Sequence, residues 1–573
     1  LHQADERLSP EARRTAADAA SSGSGLFQIA LLVGVTLAVF SSTLSSGFVY
    51  DARLQILTDT FIHDSRNWLD VISGRVLGRD VLDFNRPVHL ASLMLDAAIW
   101  GKEPFGYHLS SVLIHAGNVV LLWAVLRHLL RQPARNDAGG RQPEVTGPDA
   151  GHAASFAPGS AGSTSADEAQ DAARYAWFVP LVAALAYAVH PLVTEAVCEP
   201  TFREDLLAAA ATLGASLLAM GHAPSADRRL AWWRAAGCAV LCLLAVGSKE
   251  SGVAAPLIVT TYWWLFRRGE PAGFWVAAIG GGAVLVTAFL AARFLLEPSP
   301  SVIFAAKPVY PGGSLGAALM ILPRIHALYV QLVLLPVNQC ADYGLYSVRH
   351  LPMPVAAAVL AVVGAALAWW SWRDRRVAFG TALVILPLVP VSNLVPIYRA
   401  AADRYLYLPL AGVAVLAACL LWSPWLREDP HRRRAALVTA LVALVALGLA
   451  CIARQRVWAN PVALWEDTAR RNPVAFTPLH GLAGALREVG RLADAERAAR
   501  EAIRLDPSRG DAWMTLALVL DAIGRANEAD AALERALELD PRLADPDARV
   551  AALALEHSEA DALKRLLTRR PAP

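Results

Sequence analysis

Lysine is almost missing from this chain: of 52 basic residues only Lys102, Lys249, Lys307 and Lys564 are lysines. Charge of either sign is also sparse, at 18% of 573 residues, whereas 55% are hydrophobic. That balance is too apolar for a soluble enzyme and fits a polytopic membrane protein with an aqueous portion. The formal net charge of +2 gives no argument for a nucleic-acid partner. Cysteine is scarce too. Cys198, Cys238, Cys242, Cys340, Cys419 and Cys451 show no CxxC spacing, which argues against a cysteine metal site. Four of them lie in apolar runs and read as small core residues. Cys198 and Cys340 fall in loops on one side, so a disulfide between them stays open.

What the chain has in quantity is long apolar runs. The first, "LFQIALLVGVTLAVF" (26–40), is followed by no small-residue cleavage pattern, and many runs come later. It therefore reads as a first span and not as a leader peptide. A span needs about 20 mostly apolar residues. Candidates are 26–44, 109–127, 176–192, 205–221, 231–248, 252–266, 274–296, 353–372, 377–397, 406–424 and 435–453, about eleven in all. In this arrangement Arg127/Arg131/Arg135, Arg228/Arg229/Arg234, Arg267/Arg268, Arg373/Arg375/Arg376 and Arg427/Arg432/Arg433/Arg434 share one face, which the excess of positive charge marks as cytoplasmic. The run 314–336 is nearly long enough to span, but Arg324, His326 and Gln331 interrupt it, so it is expected to lie on or dip into the outer face.

The expected organisation is an N-terminal cytoplasmic tail (1–25), a membrane domain (26–454) and a C-terminal repeat domain (455–573). Within the membrane domain, 46–106 reads as a structured external loop with short interfacial helices. Residues 132–173, rich in small and polar groups, read as a disordered cytoplasmic linker. Beyond 454 the chain turns charged and alanine-rich, and a period is measurable: Asp506-Pro507 recurs at Asp540-Pro541, Gly490 at Gly524, Ala495 at Ala529 and Leu505 at Leu539. That is the 34-residue tetratricopeptide period, a helix-turn-helix unit that stacks into an α-solenoid and binds partner chains or peptides. Two full repeats, a half repeat (460–473) and a degenerate cap (542–573) are expected.

The stretch "GFVYDAR" (47–53) places Asp51 and Arg53 just past the first span. Ionisable groups at span ends are expensive and so are functional candidates. On the outer face the topology also gathers Arg86, His190, Glu195, Arg203, Asp205, Lys249, Glu250, Asp342, Arg399, Asp403 and Arg404. Carboxylates beside guanidiniums suit glycosyl transfer from a lipid-linked phosphate sugar. A carboxylate takes the acceptor hydroxyl proton, and arginines hold the leaving phosphate. Plainer roles stand beside these. Arg404 pairs with Asp403, His190 caps span three, Glu195 and Asp205 pair with Arg203, and Lys249 pairs with Glu250. The tryptophans at 232, 233, 263, 264, 369, 370 and 372 read as an aromatic belt.

In order, "GFVYDAR", "NRPVHLASLMLDAAIWGKEPFGYHLSSVLIHAGN", "LAYAVHPLVTEAV", "REDLLAA", "SKESGV" and "VSNLVPIYRAAADRYLYLPLAGV" resemble successive blocks of the transmembrane O-mannosyltransferases that carry tetratricopeptide repeats, members of the GT-C superfamily. The resemblance covers roughly 26–540 without the linker. It implies an all-α GT-C-type bundle and an outward-facing site. It also implies a polyprenyl- or dolichyl-phosphate sugar donor, and repeats on the non-cytoplasmic side. Asp51 matches the presumed catalytic base, Arg86 the Arg-Pro block, His190 and Glu195 the His-Pro/Thr-Glu block, and Arg404 the Arg-Tyr-Leu-Tyr-Leu-Pro block. With Arg203, these five are the expected donor and substrate ligands around Asp51. Where the family carries a second acid after the first, this chain has Ala52, so no divalent metal is expected. The implied reaction is inverting transfer of a hexose to a protein Ser or Thr hydroxyl, with an acceptor protein or peptide bound by the repeats. A transferase acting on a lipid-linked or cell-wall glycan, or a non-catalytic scaffold, are the alternatives.

Overall fold

The computed structural model describes residues 10–79, 81–134, 166–222, 227–296, 309–344, 348, 351–544 and 564–568. Most of the expected linker, 135–165, and most of the expected terminal cap lie outside the described residues. Every described element is helical, as the all-α expectation requires.

Among the described residues, seven helices are long and apolar enough to cross a bilayer: Pro104–Leu129, Arg228–Ser248, Ala272–Leu296, Leu315–Leu334, Met353–Arg373, Asp403–Leu421 and Pro430–Trp458. Two bent pairs, Gly25–Val39 with Ser41–Thr58 and Trp177–Ala188 with Pro191–Cys198, bring the number to nine at most. The expected count of eleven is not confirmed among the described residues, for local reasons. Arg203–Met220 opens on Arg203, Glu204 and Asp205, and Arg375–Leu388 has only 14 residues. A helix of that length covers roughly 21 Å at 1.5 Å per residue, short of a 30 Å hydrocarbon core.

Leu315–Leu334 passes the length test, but its contacts follow one loop. Tyr310, just before the helix, donates to the Leu394 carbonyl at 3.4 Å. Near the helix end, the Tyr329 hydroxyl accepts from the Ala402 amide at 3.3 Å. The helix thus runs beside the 389–402 loop.

The arginine-rich loops meet at one end of the bundle. The Arg375 amide donates to the Ala134 carbonyl at 2.9 Å, and its guanidinium to the Leu265 carbonyl at 3.0 Å. At that end Arg373 covers the Trp369 ring at 3.8 Å, Arg127 covers Trp123 at 4.8 Å and Arg268 covers Trp264 at 5.6 Å, a belt of cation–π pairs. Asp374 caps Arg375–Leu388 through the Arg376 amide at 2.9 Å, and Asp429 caps Pro430–Gln455 through the His431 amide at 2.8 Å. The helices Met353–Arg373 and Pro430–Trp458 bury only 6% of their apolar windows, which is the exposure of lipid-facing helices. Others pack closely. A Cβ on Gly412 would stand 2.7 Å from the Gly380 carbonyl, so glycine lets Tyr407–Leu421 approach Arg375–Leu388.

All six cysteines are free. Cys198 faces the Thr43 hydroxyl at 3.4 Å and Cys340 the Asp342 carbonyl at 3.3 Å, so the disulfide left open does not form.

The C-terminal part consists of Pro461–Arg471 followed by two helix pairs, Phe476–Glu488 with Leu492–Leu505 and Gly510–Ile523 with Ala526–Leu539. Gly490 and Gly524 take φ +77° and +88°, the left-handed value that ends the first helix of each pair. Alanines 495, 498, 499, 529, 532 and 536 are buried at the helix contacts, where small side chains let the helices close up.

Candidate active site

The site lies at the end of the bundle opposite the arginine-rich loops and starts where the first apolar helix stops. The Gln455 amide nitrogen donates to the Val39 carbonyl at 3.0 Å, and its oxygen accepts from Ser42 and Thr43 at 2.8 and 3.0 Å. The chain end of the last bundle helix therefore clamps the turn after the first. The Gly47 amide then donates to the Ala459 carbonyl at 3.2 Å. Tyr50 follows at φ +49°, a backbone conformation that a bulky residue rarely adopts. Its ring is held by Phe202, Trp458 and Trp465 with centroids 5.7, 6.3 and 5.4 Å away.

This turn presents Asp51. Solvent reaches its carboxylate, although protein atoms crowd around it. Among the described residues it makes no hydrogen bond or ion pair. The cations whose fields act on it are Arg404 and Arg399; Asp83 and Glu204 oppose them. Arg404 forms an ion pair through Nη1 with Glu195 Oε1, and its amide donates to Glu195 Oε2 at 3.0 Å. Its plane lies 3.9 Å from the Phe202 ring. Nε is buried without a partner, and Nη2 has none among the described residues. Arg399 pairs with Asp342 at 2.6 Å. Asp51, Arg404 and Glu195, far apart in sequence, are thus brought to one end of the bundle.

A second charged group continues from it. Lys249 is buried against Asp205 and, at 3.1 Å, Glu204. Arg86 joins Asp83 at 3.0 Å, Glu204 and Glu250 at 3.0 Å. Burial would raise the Glu250 carboxyl, but Arg86 and Arg293 outweigh it and bring it down to about 2. A small cavity opens beside Lys249 and Asp205, walled by Tyr405, Pro387, Val391 and Leu408.

The structure rearranges the plainer pairings. Lys249 turns away from Glu250, Asp205 and Glu195 do not meet Arg203, and Asp403 binds the Tyr343 hydroxyl at 2.6 Å and Gln339 at 3.0 Å instead of Arg404. Arg203 is 1% exposed and pairs with Asp96 at 2.5 Å. Its other donors meet the Tyr107 carbonyl at 2.7 Å and Ser111 at 3.3 Å. Each guanidinium nitrogen is engaged by a neighbouring helix and the group is buried, so Arg203 ties helices together. His190 accepts from the Leu192 amide at 3.2 Å and meets the Val333 carbonyl at 3.1 Å. Both ring nitrogens are occupied in capping the turn after Trp177–Ala188. Five of the seven belt tryptophans are exposed, Trp233 at 76% and Trp372 at 83%, whereas Trp263 and Trp370 are half-buried against the core.

Asp83, His89 and Glu204 bring ligand atoms within 4.8 Å of one another, close enough for a metal ion. Arg86, Gln55 and Lys249 already bind their carboxylate oxygens. Sequence reasoning missed Glu204 and Glu199. Glu204 carried a signal, since it adjoins Asp205 at a helix start; Glu199 carried none.

Fold and site together describe a multi-pass helical membrane protein with a charged recess at one bundle end and helical repeats packed beside it. A family model of the tetratricopeptide repeat matches residues 510–543. Over 84% of its length the chain is 22% identical to a protein O-mannosyl-transferase of Caenorhabditis elegans, covering 63% of that protein. It is 22% identical to human protein O-mannosyl-transferase TMTC3 over 69% of this chain and 42% of that one. A Drosophila melanogaster relative, protein O-mannosyl-transferase Tmtc3, is 34% identical over 31% of this chain and 17% of its own. The resemblance to repeat-bearing O-mannosyltransferases holds across most of the chain, and the chain spans less than two thirds of the length of these relatives.

Proposed function

We propose that the protein is a membrane glycosyltransferase that moves a hexose, mannose first among the candidates, from a polyprenyl-phosphate donor to a Ser or Thr hydroxyl of a protein. Asp51 accepts the acceptor hydroxyl proton as that oxygen bonds to the anomeric carbon from the face opposite the phosphate. The bond from that carbon to the phosphate oxygen breaks, the anomeric centre inverts, and the lipid phosphate leaves with the electron pair. Arg404, with two unpartnered nitrogens, and Arg399 stabilise the phosphate. Glu195 orients Arg404. Arg86 is spent on Asp83, Glu204 and Glu250 and Lys249 on Glu204 and Asp205, so both brace the wall of the site. Arg203 and His190 act as scaffold.

The single observation that carries this reading is an accessible, unpaired carboxylate beside two arginines, at the end of an apolar bundle whose relatives are named O-mannosyl-transferases. The excess of basic loops at the other end supports reading that end as cytoplasmic and the site and repeats as external. The test is reconstitution in vesicles with labelled polyprenyl-phosphate hexoses and Ser/Thr peptides. Transfer by the wild type that is lost in Asp51→Asn supports the reading. Transfer that survives the substitution sinks it.

A further inference from the structure

Beside Asp51 lies a buried carboxylate that, among the described residues, pairs with no cation. Glu199 is 0% exposed. Its Oε1 accepts from the Ala52 amide at 2.9 Å and from the Thr201 hydroxyl at 2.7 Å. Oε2 is buried and has no partner among the described residues. The nearby arginines pair with other acids: Arg404 with Glu195, Arg399 with Asp342, and Arg454 with Asp467. The amide that Glu199 holds belongs to the residue after Asp51, and the residue before Asp51 is the strained Tyr50. The same amide also donates to the Val49 carbonyl, at 3.1 Å.

We infer that Glu199 is a positioning residue for Asp51: it grips the Tyr50–Ala52 turn through the Ala52 amide and keeps the Asp51 carboxylate facing the recess. The inference deepens the reading of Asp51 as the base and rests on it. A buried carboxyl with one bare oxygen is more stable neutral than charged, and the adjacent Asp51 charge pushes the same way. Glu199 therefore holds the turn without placing a second anion beside Asp51. Its proton sits on Oε2, and Oε1 remains the acceptor. Glutamine reproduces that acceptor; alanine does not.

The experiment compares Glu199→Gln, Glu199→Ala and Asp51→Asn in the full-length protein. One readout is free of activity: hydrogen exchange of the peptide covering Tyr50–Arg53, followed by mass spectrometry. Exchange is expected to quicken about tenfold in Glu199→Ala and about twofold in Glu199→Gln. In the vesicle assay, kcat is expected to fall about thirtyfold in Glu199→Ala and about threefold in Glu199→Gln, with KM for the lipid donor unchanged in both. Equal damage by glutamine and alanine would show that charge and not acceptor geometry matters, and would overturn the inference. So would wild-type exchange in Glu199→Ala. If Glu199→Ala does not fold, Glu199→Gln decides, since a tenfold loss there contradicts the inference. If the exchange results hold while Asp51→Asn stays active, the turn is positioned as described and the reading of Asp51 as the base is what fails.

Discussion

The repeats and the site end of the bundle both rely on arginine paired with acid, yet they use the pairs for opposite purposes. In the repeats most partners are neighbours on one helix or turn, such as Arg491 with Asp494, Arg504 with Glu501, Arg525 with Glu528 and Arg535 with Glu538, three residues apart and largely exposed. Arg491–Glu466 and Arg525–Glu496 join helices at the surface. Such pairs sit in water and contribute little to stability. Their use is solubility on the outside of a solenoid whose alanine contacts hold it together. At the bundle end the partners are distant and buried. Lys249 and Asp205 are 44 residues apart, Arg86 and Glu204 118, and Arg404 and Glu195 209. Removing one member there strands a charge where water does not reach, at about 3–5 kcal/mol. The repeats can therefore lose a pair quietly, and the bundle cannot.

Asp51 stands outside both patterns, because it has neither a helical neighbour nor a buried partner. Its replacement should give the largest functional effect and the smallest structural one. Asp51→Asn is expected to lower sugar transfer at least about a hundredfold, the usual reach of a general base, while the melting temperature of the solubilised protein stays where it was. A drop in melting temperature of the size seen for buried pairs would erase the distinction.

The next effect is structural. Glu195→Ala leaves Arg404 buried alone and should destabilise the fold by about 3–5 kcal/mol, read as a lower melting temperature or a lost monodisperse peak. If it instead behaves like Asp51→Asn, stable but inactive, Glu195 belongs to the chemistry and the division drawn here is misplaced.

At the junction of the two regions, Arg53 reaches Glu488 at 2.8 Å and Tyr50 stacks on Trp465. Trp465→Ala should loosen the repeats from the recess. A rise in KM for a peptide acceptor of about threefold to tenfold is expected, with KM for the lipid donor unmoved; the reverse split would detach the repeats from acceptor binding.

A pH titration sharpens the contrast further. Glu250 has its folded carboxyl lowered to about 2 against an ordinary value of 4.5. A depressed folded value means the stabilisation is complete above about 4.5 and fades as pH falls toward 2. The wild type should lose melting temperature across that window more steeply than Glu250→Gln, and parallel curves would remove the Arg86–Glu250 contact from the balance. The smallest effect belongs to the repeats. Glu501→Gln removes an exposed partner of Arg504 and should leave the melting temperature within measurement error; a clear drop would mean that the outer ladder does more than keep the solenoid soluble.

Much of the architecture was legible because its causes are local. Apolar runs report helices facing lipid, since length and composition alone set the cost of crossing a bilayer. The 34-residue spacing reports the solenoid, since each repeat must place its small residues and its left-handed glycine at the same point; Gly490 and Gly524 do so. Asp51, Arg404 and Glu195 could be picked out as polar groups at span ends. The legibility failed at span length, where Arg375–Leu388 stops short, and at partners, where Arg203 turned to Asp96 and Lys249 to Asp205.

The sequence by itself determined that this is an all-helical membrane chain with a tetratricopeptide tail and charged groups at the ends of its spans, because periodicity and hydropathy act within a few residues. Only the tertiary structure decided which acid meets which base, that Asp51 remains unpaired, and that Glu199 holds the amide beside it. Those outcomes depend on distances between segments up to 435 residues apart, which no local pattern encodes.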